Sequence, residues 1–303
     1  MTMSRSGNRL KIAVGIATAG RPKVISETIR LLCCQTRTPD AIVVCPALPD
    51  DLDGEKLKAV PIPPLIVTGP TGSTTQRNCI LGALTDSDII VFFDDDFFPC
   101  ADYLSRVERV FLDYPDIVAA TGRPIEDGAN GPGLSVAQGL SIVEKASQTR
   151  PAHETIADTY GTYGCNMAFR MAVIRKHGIR FDENLPLYGW QEDIDFSRQL
   201  APHGRIVQSD FFRGVHLGSK RGRTSGVRFG YSQVANPVYL IGKGTMSWRF
   251  AWRIMVRNIA ANVLRSFAPE PWIDRRGRLK GNLLALIDMI AGRMSPGRIL
   301  NLG

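Results

Sequence analysis

The residues of this chain best suited to chemistry are carboxylates. Asp94, Asp95 and Asp96 stand in a row directly after the apolar run Ile89–Phe93. Three adjacent carboxylates repel one another, so a cation is expected among them, and a divalent metal with oxygen ligands is the economical answer. Much later in the chain, Glu192, Asp193 and Asp195 follow Gly189-Trp190. A carboxylate beside an aromatic ring and partly desolvated can accept a proton from a hydroxyl nucleophile. At a helix start the same carboxylates could instead serve as caps. Metal and base together fit displacement of a diphosphate leaving group. His216, one of 4 histidines, is a further candidate metal ligand, with a structural role as the alternative. His153, His177 and His203 read as surface or turn residues.

Hydrophobic pattern gives the elements that must position these groups. Ile89–Phe93 is β-branched and aromatic without alternation, as in a strand buried on both faces. Open α/β sheets bind ligands beyond the carboxyl ends of such strands. Lys11–Ala17, Ala41–Cys45 and Leu65–Thr68 read as three earlier strands. Helices over Lys23–Gln35 and from Gln76 onward lie between strands, and a Pro/Asp-rich loop with a short helix fills 46–64. This alternation predicts a doubly wound α/β half. Further strands are expected at Ile117–Gly122, Asn166–Arg170 and Arg205–Gln208. Helices are expected up to Val143, over Ala172–Lys176 and from the Glu192 cluster to about Ala201, while the Gly-rich stretch Asp127–Gly133 reads as a mobile loop. Gly69–Thr75 has the look of a phosphate-cradling loop, but Thr74 stands where GxxxxGK[ST] requires Lys. That argues against a nucleoside triphosphatase. It leaves the Gly-rich turn with Arg77-Asn78 as the lining for a nucleotide whose charge a metal neutralises.

The chain has 303 residues, 44% hydrophobic and 22% charged, which allows one large globular domain or one with an appendage. Its net charge of +8 is unevenly spread: residues 1–212 carry 21 Lys+Arg against 26 Asp+Glu, and residues 213–303 carry 16 against 3. An acidic body with a basic tail suggests that the tail meets something anionic. Lys220, Arg221, Arg223 and Arg228, among Gly222, Gly226 and Gly230, read as a lid for phosphates or as a solvated loop. Trp248–Phe267 combines aromatics with Arg249, Arg253 and Arg257, the pattern of an interfacial helix at an anionic membrane surface. The alternative is that it packs on the body. Arg275, Arg276, Arg278 and Lys280 precede a second amphipathic helix, Leu283–Ile290. The 6 cysteines show no CxxC pair and read as packed thiols. Met1–Leu10 lacks a signal-peptide core, and no run of 18 apolar residues exists. A cytoplasmic location is expected, with peripheral attachment to the inner face of the cell membrane through the tail as an extension of it.

Thr18–Pro22, Arg77-Asn78, Asp94-Asp95-Asp96, Gly164–Arg170 and Trp190-Gln191-Glu192-Asp193 occur in the order found in family 2 glycosyltransferases of the GT-A fold. The resemblance covers roughly residues 10 to 235. It implies a Rossmann-like, mostly parallel sheet flanked by helices, and an inverting transfer from a nucleotide sugar assisted by Mn²⁺ or Mg²⁺. By position, Asp94 and Asp96 resemble the two ends of the DxD metal–diphosphate motif. Asp193 is similar to the catalytic base, with Glu192 orienting the acceptor or supporting that base. Thr18, Arg21, Arg77 and Asn78 would face the nucleotide with Asp95; Asn166, Ala168 and Trp190 would lie near the donor sugar. Arg221 and Arg223 would close over the leaving group.

The expected organisation is a flexible 1–10, a catalytic domain over 11–235 split near residue 100 into nucleotide and acceptor halves, and a basic helical tail over 236–303. Val44-Cys45-Pro46-Ala47 replaces the aspartate that many relatives place after the second strand, which leaves the nucleobase open. A UDP-sugar is the leading expectation. The tail lacks the QxxRW motif of processive synthases, which favours addition of a single sugar. The expected acceptor is a saccharide, free or linked to a polyprenyl diphosphate, in cell-surface polysaccharide or glycoconjugate synthesis; no nucleic acid is expected. A nucleotidyltransferase would share the metal–nucleotide site, but Gly-Trp-Gln-Glu-Asp favours glycosyl transfer. A non-catalytic binder of nucleic acid or anionic surfaces would leave the acidic clusters unexplained.

Overall fold

The computed structural model describes residues 9–149, 154–220 and 224–302. In chain order, β1 (Ile12–Thr18), α1 (Pro22–Cys33), β2 (Ala41–Pro46), α2 (Gly54–Lys58), β3 (Leu65–Ile66), α3 (Ser73–Ala83) and β4 (Ile89–Asp94) form the expected alternating half. Next come β5 (Phe97–Pro99), α4 (Tyr103–Asp113), β6 (Ile117–Gly122), β7 (Glu126–Asp127), α5 (Val136–Ser147), β8 (Ile156–Asp158) and β9 (Asn166–Arg170). They are followed by α6 (Met171–His177), α7 (Glu192–Leu200), β10 (Arg205–Ser209) and β11 (Gly214–His216). Three long helices end the chain: α8 (Gly226–Lys243), α9 (Trp248–Arg265) and α10 (Arg275–Ile290).

The central sheet has 8 strands in the order β3-β2-β1-β4-β9-β6-β10-β8. All its neighbours pair in parallel except at β9, antiparallel to both β4 and β6, and at β8, antiparallel to β10. The unbroken apolar run in β4 is explained by burial on both sides. Val91 and Phe93 join one core layer with Ile25, Leu32, Val107 and Phe111, while Ile90 and Phe92 join the other with Ile80, Phe169 and Phe196. A second sheet, β5-β11-β7, lies beyond the carboxyl end of β4. Its strands have two or three residues, too short for periodicity to reveal, and hydrophobic pattern alone missed them.

Two expected features change. Asp127–Gly133, read as a mobile loop, is held: Asp127 pairs in register with His216, and a Cβ on Gly128 would sit 2.1 Å from the Leu217 carbonyl oxygen. Gly128 serves close backbone approach here, and Gly133 supplies a left-handed φ of 92°. The boundary near 235 falls inside α8, and α10 starts at Arg275, so the basic cluster lies within that helix instead of preceding it.

The tail packs on the body through its own core, in which Leu185, Ile194 and Tyr160 meet Tyr231, Val234, Met255 and Ala285. Helices α8 and α10 touch backbone to backbone. A Cβ on Gly230 would lie 2.0 Å from the Arg278 carbonyl oxygen, and one on Gly281 would lie 2.1 Å from that of Val227. A buried amide network joins all three helices: Asn262 donates to Gln233 and to Asn282, both at 2.8 Å. Among the described residues, no helix is long and apolar enough to cross a membrane.

Candidate active site

Strand β4 ends at Asp94, and the turn over Asp95 and Asp96 into β5 sends the three carboxylates in different directions. At the end of β4, Asp94 keeps a partly exposed carboxylate, whereas Asp95 is buried. The Thr18 hydroxyl donates to Asp95 at 2.6 Å, Arg21 pairs with it at 2.8 Å, and the Thr28 hydroxyl donates to its carbonyl oxygen at 2.6 Å. Asp95 is therefore an anchor beneath the site. Burial pushes its pKa upward, against the pull of Arg21. Asp96 turns back toward Asp94 and accepts from the Ser219 amide at 2.7 Å and from Arg21 at 3.0 Å.

His216, on β11, completes a cluster with Asp94 and Asp96 in which one potential ligand atom from each lies within 4.8 Å of the others. Its Nε2 faces Asp96 at 3.4 Å and Asp94 at 3.9 Å; its Nδ1 is 2.9 Å from Asp127. The Tyr163 hydroxyl donates to the other oxygen of Asp127 at 2.8 Å. A histidine whose second nitrogen is tied to a carboxylate has its ring orientation fixed, the usual arrangement around a bound metal. Burial disfavours the imidazolium, but hydrogen bonds to Asp127 and Asp96 outweigh it and push His216 up to about 10. Two carboxylates and one imidazole, converging and oriented, fit a hard or borderline divalent ion such as Mn²⁺ or Mg²⁺, whose binding would displace the Nε2 proton of His216.

The second acidic cluster opens α7. The segment leading in is conformationally costly: Leu187 and Gln191 both adopt left-handed backbone, at φ of 60° and 75°. Asp193 accepts from the Gly164 amide at 2.9 Å and from the Ile194 amide at 2.8 Å. Partial burial pushes its pKa upward against those two donors. Glu192 is buried in an ion pair with Arg77. The same guanidinium holds Asp94 at 3.0 Å and the Gly164 carbonyl oxygen at 3.1 Å. Arg77 thus ties the metal-type cluster to the segment that carries Asp193. Asp195, fully buried, is bound instead by Lys243 at 2.8 Å and Thr245 at 2.7 Å. It anchors the tail.

No family model matches the sequence, and no curated protein matches it by sequence. Solved structures do match. A mannosyltransferase from Pyrobaculum calidifontis in complex with GDP-Man and Mn²⁺ is 18% identical over 97% of this chain and 79% of its own, at a TM-score of 0.57. TarS of S. aureus in complex with UDP-GlcNAc is 16% identical over 97% and 84%, at 0.56. GalNAc-T7 with UDP, GalNAc and Mn²⁺ is 12% identical over 97% and 56%, also at 0.56. The fold is of the GT-A glycosyltransferase type.

Within this GT-A frame the expected site residues separate into two groups. Asp94, Asp96, His216, Glu192 and Asp193 are joined by Arg21, Arg77, Asp127 and Gly164, as described. Trp190, half-buried, stacks edge-on to Phe229 and lines a cavity beside α7. Other residues expected at the nucleotide or sugar are internal. Thr18 is 2% exposed, and Arg77 is 3% exposed and lies beneath the site. Asn78 is a latch to the 181–183 segment, donating to Phe181 and Glu183 and accepting from the Phe181 amide. Asn166 is fully buried and accepts from the Gly122 amide and the Tyr103 hydroxyl. Ala168 is core. In the Gly69–Thr75 turn Pro70 and Thr71 are exposed, and the Ser73 amide is already taken, donating to the Leu187 carbonyl at 2.8 Å. Arg221 and Arg223 lie outside the described residues. Sequence reasoning missed Asp127 and Tyr163. Only the pairing of β7 with β11 brings Asp127 beside His216, and nothing local signals it.

Proposed function

We propose that the protein is an inverting, metal-dependent glycosyltransferase of family 2 type that moves one sugar from a nucleotide-sugar donor to an acceptor hydroxyl. The observation that carries this reading is the Arg77 bridge, which fixes an Asp-Asp-His cluster and a helix-start carboxylate in one site at the carboxyl end of β4. A divalent ion held by Asp94, Asp96 and His216 would neutralise the diphosphate of the donor and its leaving group. Arg21, a fifth exposed at the rim of that cluster, adds positive charge there. Glu192 is committed to Arg77, so Asp193 is the carboxylate left to take the acceptor proton. Its raised pKa makes it a better base than a solvated aspartate. One base and a direct displacement support inversion at the anomeric carbon. Complexes of the similar structures with GDP-Man and UDP-GlcNAc support a nucleotide-sugar donor. A UDP-sugar remains the leading proposal.

The outer face of the tail supports a membrane-borne acceptor, for which a polyprenyl-diphosphate saccharide is the proposal. Trp248, Trp252, Leu264, Phe267, Leu283 and Ile287 are all exposed, between 53% and 83%. All but Phe267, two residues past the end of α9, lie on helices that carry Arg249, Arg253, Arg276 and Lys280. Apolar anchors interleaved with cations match the chemistry of an anionic lipid surface. The decisive test of the reaction is Asp193→Asn. Turnover should fall by about 10²–10⁴-fold, with donor affinity nearly kept. Loss of donor binding instead would remove Asp193 from the role of base.

A further inference from the structure

Asp193 is delivered by a segment that folds against its own preferences. Leu187, Gly189 and Gln191 all hold left-handed backbone, at φ of 60°, 63° and 75°. Glycine adopts this conformation freely, whereas leucine and glutamine do so against a steric cost. Such a bend persists only where its surroundings over-determine it. What holds it is one side of α3. Ser73, Thr74, Arg77 and Asn78 share that side by helical spacing, and each is bonded to the chain between 181 and 192. The Ser73 amide donates to the Leu187 carbonyl oxygen at 2.8 Å, and the Thr74 hydroxyl donates to that of Leu185 at 3.2 Å. Arg77 pairs with Glu192. Asn78 brackets Phe181, donating to its carbonyl oxygen and accepting from its amide, both at 2.9 Å.

The ties from Ser73 and Thr74 act at the bend itself. Ser73 opens α3, and amides of a first helical turn have no partner within the helix. A carbonyl oxygen set there also meets the positive end of the helix dipole. A phosphate would take this place if Gly69–Thr75 were a phosphate cradle, and the Leu187 carbonyl takes it instead. Thr74 is 1% exposed, so its hydroxyl is out of reach of a bound nucleotide. Bend and helix also touch: a Cβ on Gly189 would lie 3.2 Å from Thr74 Cγ2 and 3.1 Å from Glu192 Cγ. On the far side Asn236 of α8 donates to the Trp190 carbonyl oxygen at 2.8 Å. The segment is pinned between two helices just before Asp193.

We propose that Thr74 is a positioning residue for Asp193: with the Ser73 amide it holds the left-handed bend at Leu187, and through that bend it fixes where the first turn of α7 begins. The amino end of α3 then serves the catalytic segment and not the donor. For its effect on turnover the proposal rests on the reading of Asp193 as base; for its effect on the bend it does not. Without the Thr74 hydroxyl, Leu187 relaxes toward negative φ and Asp193 moves with it. The Asp94–Asp96–His216 cluster, held separately by Arg21 and Asp127, stays in place.

The test compares the full-length wild type with three variants. Thr74→Val keeps the shape and loses the hydroxyl, Thr74→Ser keeps the hydroxyl, and Ser73→Pro deletes the amide at a first helical position, where proline is accommodated. Three quantities are read: hydrogen–deuterium exchange of residues 184–193 by mass spectrometry, binding of UDP and GDP with Mn²⁺, and release of nucleoside diphosphate from UDP-GlcNAc and GDP-mannose. Thr74→Val and Ser73→Pro should each speed exchange of that segment by about tenfold and lower kcat by about tenfold or more, with nucleotide binding unchanged. Thr74→Ser should behave as wild type. The two deletions remove different bonds, so the result does not hang on the folding of either variant alone. Unaltered exchange in both, weakened nucleotide binding, faster exchange without loss of kcat, or a Thr74→Ser that resembles Thr74→Val would each overturn the proposal. Asp193→Asn separates the two readings: full turnover in that variant removes the base assignment, and exchange still decides whether Thr74 holds the bend. Should the wild type release no nucleoside diphosphate from either sugar, the transferase reading is what loses support, and exchange again decides.

Discussion

At Arg77 one buried guanidinium meets Asp94, Glu192 and a backbone carbonyl, so it sets the distance between the metal-type cluster and Asp193 without reaching solvent. Removing one member of such a buried ion network leaves the others uncompensated, at about 3–5 kcal/mol. Arg77→Ala should therefore lower unfolding stability by about that amount in a denaturant titration. Arg77→Lys keeps the charge but loses the planar fork. It should fold and bind donor with little change in KM, while kcat drops by about a hundredfold through misplacement of Asp193. An equal effect on KM would mean that Arg77 contacts the donor. Sequence alone identified Arg77 as a site residue, but the resemblance aimed it at the nucleotide. Its real position depends on Glu192, 115 residues away. Asp127 was invisible for the same reason: its partner His216 is 89 residues distant.

The elements that position these residues were legible where pattern is strong. β4 shows as a continuous apolar run, and α9 is a long stretch free of Pro and Gly. The small sheet and the start of α10 were not, because two- and three-residue strands carry no period and the start of α10 is polar and glycine-containing. The close crossing of α8 and α10 could not be inferred from glycine content either. Gly230→Val should cost about 1–3 kcal/mol by forcing those helices apart, read as a lowered midpoint of thermal unfolding. Where α8 ends, Lys243 clamps Asp182 at 2.7 Å and Asp195 at 2.8 Å, and Tyr239 donates to Asp182 at 2.8 Å. Burial would raise the Asp182 pKa, but Lys243, the Asn184 amide and Tyr239 outweigh it and hold it below 3.8. A carboxylate with a depressed folded-state pKa stabilises the fold above its unfolded value and loses that contribution as pH falls through the folded one. Wild type should thus exceed Asp182→Asn in urea midpoint near neutrality, and the gap should close as pH drops below 3.8. A gap independent of pH would mean that the clamp works by shape and not by charge.

For the whole molecule, the segregation of charge into an acidic body and a basic tail becomes a division of labour. The body carries the carboxylate site, and the tail presents arginines both to the cavity beside Trp190 and to solvent. The exposed aromatic face predicts that the protein sediments with vesicles containing anionic lipid at low salt. Trp248→Ser/Trp252→Ser/Phe267→Ser should weaken that binding, and raised salt should too. Retention in the supernatant with every vesicle composition would remove the membrane from the account. The central claim is that Asp94, Asp96 and His216 form a metal-dependent nucleotide site. It is tested most directly by the thermal midpoint of the wild type and of Asp96→Ala against a panel of nucleoside diphosphates, with and without Mn²⁺. A ligand bound only by the folded state raises that midpoint by mass action. The account predicts stabilisation by one nucleoside diphosphate that requires Mn²⁺ and disappears in Asp96→Ala; stabilisation that needs no metal, or that survives Asp96→Ala, would contradict it.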